Sequence, residues 1–318
     1  MEIKDMATLR QTDRTPSIAV LMGTFNGARF LREQLQSIVD QTVGKITLYV
    51  SDDGSSDDTL AIVDEFASTG RLEVVLSKGP GKGFAENYRI LLGKAAETHD
   101  AYMFADQDDI WHLGKIKRSL AQIAGIKDGP AGVGGRTQFV SEDGTDGGFS
   151  RLFQRAPSFR NALVQSIAGG NTILLNPEGF RLTRDSSRAG QFVSHDWWAY
   201  LIITGAGGRF VYDAEATISY RQHANNLVGA NTGLSARLRR IRKGMAGTFQ
   251  GWNTVHINLL VKNESLLTPQ SRAVLDNFRK ARSGHLLGRL IALRRSGVYH
   301  QTVFFNFSLL VACVLAKL

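Results

Sequence analysis

Four apolar runs, each followed by a polar loop and the first three leading into residues at helical spacing, leave this chain few folds to choose from. Residues 17–24 are apolar until they reach Gly23-Thr24, and Asn26-Gly27 follows as a turn signal. Phe30, Leu31, Leu35, Ile38 and Val39 then share a helical face. Residues 46–50 repeat the run and lead into Ser51-Asp52-Asp53-Gly54-Ser55-Ser56-Asp57, where Ser56 or Asp57 can cap a helix carrying Leu60, Val63 and Phe66. Residues 72–76 give a third strand, 83–97 a third helix and 101–105 a fourth strand. Buried strands alternating with helices predict an α/β fold with a mostly parallel central sheet and helices on both faces. Ligands of such sheets bind beyond the carboxyl ends of the strands, and the unusual polar residues, at 24–27, 52–53, 78–83 and 106–109, all fall there. Turn chemistry also favours Gly, Asp, Asn and Ser in these places, so the four loops weigh together rather than singly.

The fourth loop is the sharpest. Phe104-Ala105-Asp106-Gln107-Asp108-Asp109-Ile110-Trp111 closes a buried strand with three carboxylates in four positions. Like charges this close raise one another's pKa, and a divalent cation with hard oxygen ligands would relieve them. A solvated turn before a helix N-terminus would accommodate the same residues. The common phosphate loops are missing: there is no G-x-x-x-x-G-K-[ST], and no G-x-G-x-x-G follows the first strand. Gly79-Pro80-Gly81-Lys82-Gly83 is basic and flexible enough to approach a phosphate, or is simply a loop.

Together, Thr24-Phe25-Asn26, the residue 51–57 loop and Asp106-Gln107-Asp108-Asp109-Ile110-Trp111 resemble, in order and spacing, the motifs of family-2 glycosyltransferases across residues 16–229. The resemblance implies a GT-A fold, Rossmann-like in its central sheet. It implies an inverting enzyme that moves a sugar from a nucleotide-sugar donor to a polysaccharide or lipid-linked acceptor in bacterial surface-glycan synthesis. Thr24, Asn26, Asp52, Asp53, Lys82 and Asp106 would then bind the donor, and Asp108 would hold manganese or magnesium. Gly170 and Asn171, in Gly169-Gly170-Asn171-Thr172, resemble the segment shaping the acceptor side; a strand entered through a bulge fits them equally. In Ser194-His195-Asp196-Trp197-Trp198 the acidic residue suits a helix cap, and the two Trp suit either a sugar platform or a core. The resemblance makes Asp196 the general base and Trp197 and Trp198 acceptor contacts, with His195 standing where the family usually has Glu. Tyr220-Arg221-Gln222-His223-Ala224-Asn225-Asn226 follows a strand-like run at 210–219. A lone His is most often structural, but similar tracts in bacterial rhamnosyltransferase-like members make His223 a second metal or diphosphate residue and point to dTDP-rhamnose, with UDP-sugars as the other donor class.

Charge divides the chain further. Residues 232–318 carry 14 Lys or Arg against 2 Asp or Glu, so the net +9 resides in that segment. Such a surface attracts an anionic membrane or nucleic acid; no nucleic-acid motif accompanies it. Leu234, Leu238, Ile241 and Met245 share a helical face ringed by basic residues, residues 286–293 repeat the theme, and 303–316 is apolar but too short for a span of about 20 residues. The expected organisation is a loose leader at 1–15, a catalytic domain at 16–231 and a basic helical extension at 232–318. A single Cys313 and the lack of a secretory signal suit a cytoplasmic protein, peripheral on the membrane if the extension attaches there. The alternative reading is a non-enzymatic nucleotide-sugar or membrane-binding protein on the same fold.

Overall fold

The computed structural model describes residues 15–126, 128–223 and 248–318. Its first part is the expected alternation: β1 (Ser17–Thr24), α1 (Ala28–Val39), β2 (Lys45–Asp52), α2 (Thr59–Ser68), β3 (Glu73–Lys78), α3 (Phe84–Lys94) and β4 (Ala101–Ala105). There follow β5 (Ile110–Trp111), α4 (Lys115–Ile123), β6 (Ala131–Gly135), β7 (Gln138–Val140), β8 (Asp146–Phe149) and α5 (Phe159–Ala162). A 3-10 turn (Gly170–Thr172) leads into β9 (Leu174–Leu175), α6 (Pro177–Ser187), α7 (His195–Gly205), β10 (Arg209–Asp213) and β11 (Ile218–Arg221). After residue 247 come α8 (Thr248–Lys262), α9 (Pro269–Ala281), α10 (Leu286–Ser296) and α11 (Val303–Val314).

The main sheet runs β10-β6-β9-β4-β1-β2-β3. β1 pairs in parallel with β2 and β4, β2 with β3 and β6 with β10, while β9 is antiparallel to both neighbours. Strand order therefore reverses between β1 and β4, which opens a crevice there. Register brings Thr24 beside Asp52, Asp52 beside Lys78 and Met22 beside Ala105, so all four polar loops leave the sheet at one edge. Alternate strand residues fill two cores. Val20, Met22, Leu48 and Val50 meet Leu31, Leu35 and Ile38 of α1 on one face. Ala19, Leu21 and Phe104 meet Leu91 of α3 and Leu201 of α7 on the other, where Leu260 of α8 and Phe278 of α9 join them. Truncating one of these buried Leu to Ala would cost about 2–5 kcal/mol.

Two expectations need revision or placing. The run at 210–219 is two strands in two sheets, because Asp213 accepts from Arg118 Nε (2.6 Å) and Nη2 (2.7 Å) and from the Glu215 backbone (3.0 Å), which turns the chain. β11 then enters a small sheet, β5-β11-β7-β8. The amphipathic stretch around Leu234–Met245, Asn225 and Asn226, residues 1–14 of the leader and the boundary at 231/232 lie outside the described residues. No described helix is long and apolar enough to cross a membrane.

Candidate active site

The first two loops are laced together by their own side chains. Thr24 Oγ1 and Ser55 Oγ donate to Asp52 Oδ2 (2.8 and 2.6 Å), while the Gly54 and Ser55 backbone N–H groups donate to Oδ1 (3.1 and 2.8 Å). Burial disfavours the Asp52 carboxylate, yet these bonds outweigh it and hold its pKa below the usual range. Asn26 takes a left-handed backbone (φ 46°), which Asn tolerates better than most residues. Its N–H donates to Ser55 Oγ and its Oδ1 accepts from the Ser56 N–H, both at 2.8 Å. Asp53 reaches the third loop, accepting from the Gly81 and Gly83 N–H groups at 2.7 and 2.9 Å. Lys82, between them, is exposed at the loop tip.

The residue 106–109 loop is joined to the first by a side chain that motif reasoning treats as a spacer. Gln107 Oε1 accepts from the Phe25 N–H (2.9 Å) and its Nε2 donates to the Phe25 carbonyl (3.0 Å). Gly27 leaves room for it: a Cβ there would lie 2.3 Å from Gln107 Oε1. Asp108 and Asp109 then part company. Asp109 is wholly buried and accepts from Asn171 Nδ2 (2.6 Å) and from the Arg221 N–H (3.3 Å). Burial, with Asp106 and Asp108 adding to it, raises its pKa well above the usual carboxylate range. Asp108 Oδ2 instead lies 2.7 Å from His223 Nε2, whose ring stacks on Phe30 with centroids 5.1 Å apart.

β11 explains how residues more than a hundred positions apart meet. It pairs antiparallel with β5, Ser219 beside Ile110, so the next residues run back alongside the carboxylates. Arg221 Nε donates to the Asp108 carbonyl (3.2 Å), Nη1 donates to the Glu142 carbonyl (2.8 Å), and Nη2 pairs with Glu33 of α1. Its guanidinium, nearly all buried, is committed to protein groups and orients the loop rather than clamping a ligand.

Asp196 approaches from the other side. Ser194 holds the N-cap position of α7, which puts Asp196 in the first turn. Its buried Oδ1 has no hydrogen-bond partner, and burial raises its pKa. Asp106 lies close enough to feel it: burial first, then Asp108, then Asp196, push Asp106 up to about 7. His195 points away, into the core. It stacks on Tyr88 (centroids 3.7 Å apart), meets Phe104 edge-on (4.5 Å), and burial pushes its pKa down to about 3.

The four residues expected to touch the acceptor are all buried, and that expectation is corrected. Trp198 is 0 % exposed and donates from Nε1 to Ser186 Oγ (3.0 Å), while Trp197 is buried and donates to the Ala162 carbonyl (2.7 Å). Both indoles belong to the core of α7, because the helix is apolar on nearly every side. Asn171 spends its amide on Asp109, and its carbonyl accepts from the buried Lys115 Nζ (2.9 Å). Burial pushes Lys115 down to about 7 while Asp109 pulls the other way. Gly170 is buried as well, for a Cβ there would lie 2.2 Å from His195 Nε2. Gly170 and Asn171 therefore brace the site from behind. Gln107, Lys115 and Glu33 escaped the sequence reading as site residues, and no local signal marks them.

The donor set fits a divalent cation only in part from protein. Among the described residues no three His, Cys, Asp or Glu side chains form a metal cage. Asp108 and His223 nonetheless converge as one oxygen and one nitrogen, beside carboxylates whose mutual repulsion a cation would relieve. Manganese or magnesium held by one or two side chains completes its shell with phosphate oxygens and water.

The model of the family described as "Glycosyl transferase family 2" matches residues 19–191. A dTDP-rhamnosyl transferase of Shigella flexneri, RfbG, is 30% identical over 233 residues, 69% of this chain and 78% of the relative. An uncharacterized glycosyltransferase of Nostoc, alr2836, is 25% identical over 137 residues, 41% of each chain. Among solved structures, Staphylococcus aureus TarS 1–349 in complex with UDP-GlcNAc matches with a TM-score of 0.56 at 15% identity, covering 95% of this chain and 88% of that one. That likeness establishes the GT-A fold and nothing finer.

Proposed function

Because the chain belongs to glycosyl transferase family 2, we propose that it is an inverting glycosyltransferase using a nucleotide-sugar donor, dTDP-rhamnose or a UDP-sugar, at the crevice between β1 and β4. The observation that carries this is the convergence of Asp106, Asp108 and Asp196 where the parallel strands end. The acceptor is a polysaccharide or lipid-linked saccharide of a bacterial surface glycan, glycosylated on the cytoplasmic side. The relative's name, dTDP-rhamnosyl transferase, supports rhamnose as the sugar.

On this reading the base and ribose rest against the interlocked loops of Thr24, Asn26, Asp52 and Asp53, with Asp106 beside the ribose and Lys82 free to reach a phosphate. Asp108 and His223 would hold a manganese or magnesium ion that neutralises charge on the departing diphosphate. Asp196 accepts the proton of the acceptor hydroxyl as that oxygen attacks the anomeric carbon from the face opposite the leaving group. Its unpaired, buried Oδ1 is suited to this, since burial outweighs the bonds from Ser194 and the Trp197 backbone and raises the pKa, which makes the carboxylate a stronger base.

Thermal melting against UDP-, dTDP- and GDP-sugars, with and without manganese, tests the assignment on the wild type and Asp108→Ala. A donor at 100 times its dissociation constant stabilises the fold by about 2.7 kcal/mol. The expected result is one responding nucleotide class, dependent on metal and lost in Asp108→Ala. A well-folded sample that responds to no nucleotide under any metal condition overturns the donor site.

A further inference from the structure

Helix α11 turns its apolar side outward. Val303, Phe304, Phe307, Leu310, Val311 and Val314 are all exposed, Val303 by 88 % and Phe307 by 65 %. Their spacing of i, i+1, i+4, i+7, i+8 and i+11 is one continuous helical stripe. The opposite side, with Cys313 buried, docks on a small core shared with Ala281 and Ala292. Helix α10, packed against α11, also exposes Leu286, Leu287 and Ile291, of which Leu287 is 65 % exposed.

This face is firmly mounted. Asn161 Nδ2 donates to the Tyr299 carbonyl (2.9 Å), and Gln165 Oε1 accepts from the Gln301 N–H (2.9 Å), tying the α10–α11 connection to the catalytic body. Arg289 Nη2 donates to the Val314 carbonyl (3.1 Å) and fixes the two helices to each other. The outward stripe is thus a property of a rigid helix pair.

Charge identifies what covers it. Residues 277–318 contain seven Lys or Arg and no Asp or Glu. Arg294 and Arg295 stand exposed at the end of α10. An open groove of about 340 Å³, between α9 and α10, is lined by Lys280, His285 and Arg295 and bordered by the exposed Ile291. Exposed apolar residues on α10 and α11, accompanied by exposed cations and by no carboxylate side chain in residues 277–318, match the boundary between acyl chains and anionic headgroups. This face does not match itself: a two-fold copy would set the arginines of one α10 against those of the other with no acid to meet them.

We infer that α10 and α11 form a membrane-docking face, lying in the interface of an anionic bilayer with the α11 stripe among the acyl chains and Lys280, Arg294 and Arg295 at headgroup phosphates. The helices lie on the bilayer and do not cross it. The test is flotation of the full chain with phosphatidylcholine vesicles, pure or carrying about one-third phosphatidylglycerol. The wild type is expected to float with the anionic vesicles roughly tenfold better than with the neutral ones, and to release at high salt. Leu287→Glu/Phe307→Glu should lose about tenfold or more of that binding, and Arg294→Glu/Arg295→Glu should lose the preference for anionic lipid. All four substituted positions are exposed, and an unchanged melting midpoint verifies each fold. No flotation with either vesicle, or a Leu287→Glu/Phe307→Glu variant that floats like wild type, overturns the inference. So does light scattering that shows a dimer dissociated by that variant in a protein that ignores vesicles. The readout involves neither donor nor acceptor, so it stands or falls apart from the proposed activity.

Discussion

Acid should loosen this fold through its buried imidazoles, and His195 allows the effect to be isolated. Its ring is sandwiched against Tyr88 and Phe104, both its nitrogens lack partners, and burial lowers its pKa from 6.5 to about 3. Above pH 6.5 the ring is neutral folded or unfolded and contributes no pH dependence. Below that, the unfolded chain takes up a proton that the folded chain refuses, so stability falls by up to about 1.4 kcal/mol per unit until pH approaches 3. At pH 5 the loss from His195 alone is about 2 kcal/mol. His256, whose Nε2 accepts from the Val193 N–H (3.2 Å) and whose pKa burial also lowers to about 3, adds a similar amount. Together they remove about 4 kcal/mol from a fold that typically has 5–15. The assay is urea unfolding at constant ionic strength at pH 8, 6.5 and 5, comparing wild type with His195→Leu. Leu loses the stacking at every pH but has nothing to protonate. The stability difference between the two proteins should therefore shift by about 2 kcal/mol in favour of Leu as pH falls from 8 to 5. A difference that stays constant across that range would refute the claim that His195 is held neutral.

Other outcomes follow from the same geometry. Asp196→Asn should fold normally and keep the donor-induced melting shift while losing at least about a hundredfold in transfer rate; loss of the shift would place Asp196 in donor binding instead. Trp198→Phe removes the hydrogen bond to Ser186 Oγ and should cost about 1–3 kcal/mol in urea unfolding with acceptor KM unchanged, whereas a raised KM at unchanged stability would restore a sugar platform. Gly27→Ala, whose methyl would displace the Gln107 amide from Phe25, should lower donor affinity by about tenfold, for a loss near 1.4 kcal/mol, and isothermal titration would expose an unaffected loop. Glu33→Gln leaves the buried Arg221 guanidinium without its carboxylate, so thermal melting should show a destabilisation of about 1–3 kcal/mol, and an unchanged midpoint would count against the loop-orienting role.

Local rules reach the parallel half of this protein and stop where side chains answer to distant partners. β1, β2, β4 and their helices were readable because both faces of each strand are apolar and each helix repeats with its own period. The loops they position were readable for the same reason, since register alone aligns Thr24, Asp52 and Asp106. Trp197 and Trp198 were ambiguous because an exposed aromatic pair and a buried one are spelled alike. What decides is that α7 is covered by α3, α6 and α8, the last of them some fifty residues further on. The break at Asp213 was hidden for a related reason: the Arg118 fork that bends the chain there comes from α4.

Arg221 shows why the second half of the site resists local reading altogether. A basic residue near acidic loops suggests a phosphate clamp, yet its Nε, Nη1 and Nη2 are turned to the Asp108 carbonyl, the Glu142 carbonyl and Glu33. A buried guanidinium bonded through all three of its nitrogens is expensive to undo, because the cation itself would be left desolvated and unpaired. The arrangement keeps Asp108 pointed at His223 while Asn171 keeps Asp109 turned away from them. Of two adjacent carboxylates with identical chemistry, one faces His223 and the other is a strut. The difference lies in what β11 and the 3-10 turn at Gly170 bring to each.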